Sequence, residues 1–144
     1  MLVLTKIIRG DEVSNIVLIT NNDVVEKNYS KEMCVEHFQN ANFIETLELV
    51  RDKIHAGHKL LTHPLSGSVK PNDTPYKTVV ISKAKGALDY SGLQIIEDSL
   101  ESAKKFICGR STPNWTDKVK ADFKLIDYTI ITTAIQSMNG KFIG

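Results

Sequence analysis

The sequence predicts an α/β fold: a Rossmann-like three-layer domain with a mainly parallel sheet of about four to five strands and two C-terminal helices. Three observations carry this expectation. Ile16 to Ile19 and Val79 to Ile81 are short, β-branched, continuous apolar runs, as in strands covered on both faces. Helical stripes stand between and after these runs. No linker, internal repeat or low-complexity tract divides the 144 residues, so residues 1–144 read as a single α/β domain of ordinary size.

Each element follows in order. Residues 1–12 read as an N-terminal extension and a possible edge strand, because Met1 to Ile8 is β-prone and Arg9 to Glu12 carries a turn signal. Val13 to Thr20 is the first central strand. Asn21, Asn22 and Asp23 are good capping residues, and a short helix is expected over Val24 to Asn28. Met33 to Phe38 reads as the second strand. Asn40 or Asn42 then opens a helix on which Phe43, Leu47, Val50 and Ile54 form one apolar stripe. Gly57 is placed to end it in the left-handed conformation. Lys59 to Thr62 reads as a third strand and Thr78 to Ser82 as a fourth.

Between those two strands lies the unusual segment, 63–76. It holds three of the four prolines. Proline removes a backbone donor and fixes φ, so the segment is neither helix nor central strand but a stiffened loop. Connections of this length are uncommon and usually functional. Beyond it, Leu93, Ile96, Leu100, Ala103 and Ile107 line one helix, with Gly109 as its stop. A last helix opens near Thr112-Pro113 or Asn114. It carries Val119, Phe123, Ile126, Ile130 and Ala134 to about Met138, and residues 139–144 read as a frayed tail.

Composition narrows the function. Eighteen Lys and Arg against 17 Asp and Glu give a formal charge of +1. That is no basic excess for a phosphate backbone, so no nucleic-acid partner is expected. No apolar run approaches the roughly 20 residues of a membrane helix, and the start lacks a secretory h-region. A cytoplasmic protein without membrane contact is expected. Cys34 and Cys108 form no C-x-x-C pair and read as free, mostly buried thiols. His55, His58 and His63 are interrupted by Gly57 and lack a completing ligand, so no metal is expected. His55 and His58 instead suit a helix C-terminus, and His37 reads as a strand-surface residue. No cofactor fingerprint is present: Ser66-Gly67-Ser68 has neither Walker nor G-x-G-x-x-G spacing.

In an open parallel sheet, ligands bind beyond the carboxyl ends of the strands. If the first and third strands are central and parallel, Asn21, Asn22, His63, Ser66, Gly67, Ser68 and Lys70 converge there. Asn and Ser would give neutral hydrogen bonds, Gly67 close backbone approach, Lys70 a positive charge and His63 an acid or base. Tyr76 and Trp115 either fasten the loop to the core or wall a ligand. A Ser66–His63 pair lacks an acidic partner in the sequence pattern, Asp73 being the nearest.

The run from His58 to Tyr76, HKLLTHPLSGSVKPNDTPY, resembles the GrdX family. Ile19 to Asn22, Val50 to Gly57 and Thr112 to Trp115 fit the same family, and the resemblance spans roughly residues 16–135. The resemblance implies a setting in reductive amino-acid fermentation, beside the gene clusters of glycine, sarcosine and betaine reductase. It carries no catalytic residue over to this chain. The expectation is therefore an accessory or regulatory protein of the glycine reductase system. It would bind a small anionic metabolite or a reductase subunit through the 63–76 loop. The alternative is a small enzyme acting on a phosphate- or carboxylate-bearing substrate with His63 as acid/base. A homodimer through the terminal helix is a further expectation.

Overall fold

A computed structural model describes residues 15–67 and 69–143. The expected N-terminal edge strand and Ser68 lie outside the described residues.

Strand β1 (Ile16–Thr20) is buried along its whole length, because both of its faces are covered. Successive side chains point to opposite faces. Val17 and Ile19 meet one apolar cluster, while Ile16 and Leu18 meet another. Asn22 then caps α1 (Asp23–Tyr29), its Oδ1 accepting from the Val24 N–H. Strand β2 (Cys34–His37) returns parallel to β1. Helix α2 (Phe43–His55) opens with a capping box between Asn42 and Glu45, which satisfies two orphan donors at once. Gly57, at φ +110°, turns the chain out of it.

The sheet has three strands in the order β2-β1-β3, and β3 (Thr78–Ser82) runs antiparallel to β1. This overturns the Rossmann-like expectation of about four to five mainly parallel strands. Residues 59–62, expected as a strand, make one antiparallel bridge, Leu60 to Ile81. The bridge is flanked by hydrogen bonds from Leu61 N–H to the Val80 carbonyl and from Ser82 N–H to the Lys59 carbonyl. The physical reason lies in the connection. A parallel pair needs a crossover, usually helical, whereas the proline-rich 63–77 segment holds no helix among its described residues. It doubles back at the same end of the sheet and delivers β3 in the opposite direction. The apolar runs reported coverage on both faces; they carried no information about strand direction.

Helix α3 (Tyr90–Ile107) is capped by Asp89. It packs with α2 on one face of the sheet through Phe43, Leu47, Val50, Ile54, Ile96, Leu100 and Ala103. Helix α4 (Asp117–Ile143) packs with α1 on the other through Val25, Tyr29, Ile131 and Ile135. It starts later than expected, because Thr116 rather than Asn114 meets the first turn, its Oγ1 accepting from the Val119 N–H. It also continues past Met138, where fraying was expected. Cys34 and Cys108 are free and both exposed, which corrects the expectation of buried thiols: β2 is an edge strand, and Cys108 caps the end of α3. Among the described residues no helix is long and apolar enough to cross a membrane.

Candidate functional site

Because β3 is antiparallel, its first residue, Thr78, lies beside Thr20, the last residue of β1. Their hydroxyls are 2.7 Å apart. The 63–77 loop and the turn after β1 therefore meet at one end of the sheet.

Asn21 holds that meeting together. Its amide donates to the carbonyls of Ala41 (2.9 Å) and Pro75 (2.8 Å), and its Oδ1 accepts from the Lys77 N–H at 2.9 Å. Asn22 does the same toward α4, donating to the Lys124 carbonyl (2.9 Å) and to Asp127 Oδ2 (3.0 Å). With Oδ1 of Asn22 on α1, both asparagines have both amide hydrogens and the carbonyl oxygen engaged within the protein.

Asp127 is the carboxylate of this region. It is 6% exposed and also accepts from the Thr78 hydroxyl at 2.7 Å. Burial pushes its carboxyl above the ordinary range, while hydrogen bonds from Asn22 and Thr78 pull the other way. Lys77, likewise 6% exposed, donates from Nζ to the Ser66 carbonyl at 3.0 Å. Burial pushes its ammonium below the ordinary lysine range, and the charge of Asp127 opposes this. The two side chains line one cavity of about 20 Å³ between the loop and α4.

The loop is fixed at several points. Gly67, at φ +100°, lies so close to α4 that an added Cβ would stand 2.7 Å from Ile130 Cδ1. Trp115 Nε1 donates to the Asp73 carbonyl at 3.0 Å. Asn72 donates to the Ser111 carbonyl at 3.3 Å. Tyr76 lies under Lys124, whose Nζ is 5.6 Å from the ring centroid and 2.9 Å from Asp23 Oδ1. That ion pair holds the Asp23 carboxyl below its ordinary range.

On its other side the loop borders a cleft of about 180 Å³. Phe43, Ile44, Pro75, Ile107 and Trp115 wall it, and Asn72, Thr74 and Thr112 add polar atoms. Lys70 precedes the lining residue Pro71, and Arg110 lies two residues before Thr112. Both cations sit against the ring of Phe106, Lys70 Nζ at 5.7 Å and Arg110 Cζ at 4.2 Å from its centroid.

The residues expected to converge are thus divided. Asn21, Asn22 and Tyr76 gather at the sheet end; Ser66 reaches it through its carbonyl and Gly67 through α4. His63 is exposed, its Nδ1 accepting from the Leu65 N–H at 3.1 Å. Lys70 lies against Phe106, one residue before the cleft residue Pro71. His58 is buried, its Nδ1 2.7 Å from the Ser82 carbonyl. Among the described residues no three His, Cys, Asp or Glu side chains gather as metal ligands. Sequence reasoning missed Lys77, Thr78, Asp127, Phe106 and Arg110. Asp127 had left a signal: it lies one turn beyond Phe123 on a helix of apolar stripes, where a carboxylate is out of place.

Fold and site together define a small α/β protein with a loop-bordered cleft at one end of a mixed sheet. Residues 17–136 match the family described as GrdX-like protein. The chain belongs to that family, whose name associates it with the glycine reductase gene cluster. No curated protein and no solved structure matches it.

Proposed function

We propose that the protein is an accessory protein of the glycine reductase system that binds a small anionic metabolite in the cleft beside the 63–76 loop. The observation that supports this reading is the pair Lys70 and Arg110. Two like charges share one aromatic ring, and neither has a carboxylate partner among the described residues. An anion between them relieves their repulsion, and the apolar wall receives the rest of the molecule. The volume of about 180 Å³ is below the usual range for drug-sized ligands, which limits the ligand to a few heavy atoms.

A thermal-shift series with acetate, inorganic phosphate, acetyl phosphate and glycine tests the proposal. A ligand at 100 times its Kd adds about 2.7 kcal/mol. The shift is expected in the wild type and is lost in Lys70→Ala and Arg110→Ala. An equal shift in all three proteins moves the site elsewhere. No shift with any anion ends the metabolite reading and leaves a reductase subunit as the partner to be sought by affinity capture.

A further inference from the structure

Lys77 is the last residue before β3, and its side chain lines the cavity of about 20 Å³ with Leu65, Phe123, Ile126 and Ile130. Among the described residues its Nζ makes one hydrogen bond, to the Ser66 carbonyl. Asp127 lines the same cavity and acts on Lys77 through space rather than through a hydrogen bond. Burial disfavours ammonium and carboxylate alike. Lys77 and Asp127, each with its charged form disfavoured by burial, thus line one space that holds about one water, the size of a carbonyl group. Ser66 and Ile126 are exposed at its rim, where the remainder of a short molecule would lie.

We propose that Lys77 captures a small aldehyde or 2-oxo acid as an imine, with Asp127 as the proton donor and acceptor. The nitrogen lone pair bonds to the carbonyl carbon, and the C=O π pair moves to oxygen, which takes the Asp127 proton. The nitrogen returns a proton to the carboxylate, giving a carbinolamine. Asp127 then protonates the hydroxyl, water leaves, and the C=N bond forms as the nitrogen gives its last proton back to Asp127. The balance is amine plus carbonyl to imine plus water, with the acid regenerated. The inference stands apart from the anion cleft: it needs neither Lys70 nor Arg110.

The test is reductive trapping of the full chain with glyoxylate and cyanoborohydride, read lysine by lysine by peptide mass spectrometry. Lys77 is expected to be modified several-fold faster than the exposed Lys59, Lys83 and Lys118, and to lose that preference in urea. Asp127→Asn is expected to slow Lys77 while leaving the exposed lysines unchanged. A Lys77 that reacts no faster than the exposed lysines in the folded wild type overturns the proposal, and this comparison needs no variant. Loss of the shift in Lys70→Ala with trapping at Lys77 intact would separate the two sites.

Discussion

Asp127 shows how a single residue links the end of the sheet to α4. Its carboxyl is held higher in the fold than in the unfolded chain. Such a group stabilises the fold fully below its unfolded value, and the contribution is lost as pH rises through the folded value. Urea unfolding of wild type and Asp127→Asn should therefore show the wild type gaining on the variant as pH falls from neutral toward the carboxylate range. Asp23, held low by Lys124, acts in the opposite sense: its contribution fades as pH falls through its folded value. Gly67→Ala should cost about 1–2 kcal/mol from the positive φ and more from the clash with Ile130. Adding Ile130→Ala should recover the steric part but not the backbone part, a coupling that a double-mutant cycle measures. At this scale the sequence was only partly legible. Asn21 and Asn22 read as ligand donors because their residue type suits both tasks, and only the distances show that their amides are engaged internally. Lys77 carried no signal, since a lysine beside a strand is ordinarily exposed.

At the scale of the element, the helices were legible because their apolar stripes and caps are local. The capping box of α2 makes Asn42→Ala cost about 1 kcal/mol. Helix α4 is less simple, since apolar residues also occur on its outer side. Ile131 and Ile135 are buried against the sheet, whereas Leu125 is 59% exposed. Ile135→Ala should cost about 2–5 kcal/mol and Leu125→Ala no more than about 0.5 kcal/mol, a contrast that denaturant midpoints resolve. The segment 59–62 was misread because an apolar run beside a β-bridge has the same composition as a strand. Its Thr62 hydroxyl accepts from the Val80 N–H, so a side chain takes the place of the next ladder partner.

For the whole molecule, the lesson concerns connections. Burial of β1 on both faces could be read from Ile16 to Ile19, but the direction of β3 depended on what a proline-rich loop could not form. The exposed thiols were hidden for a similar reason, since edge position is a property of the assembled sheet. Cys34 and Cys108 should both react with a thiol reagent in the native protein without denaturant. A single reactive thiol would mean that one of them is covered in solution.

The hydrogen bond from Asn22 to Asp127 joins residues 105 apart in the chain. During synthesis, one face of the sheet waits for α4: Ile16, Leu18 and Val80 pack against Ile131 and Ile135, which emerge from the ribosome well after the strands. The surroundings of Lys77 wait as well, because Phe123, Ile126, Asp127 and Ile130 supply their outer wall. The sheet and α2 can assemble early, whereas docking of α4 both closes the second apolar layer and completes the cavity beside Lys77. A nascent or truncated chain would present a sticky half-sheet and no pocket, so completion of the fold and acquisition of the site are one event.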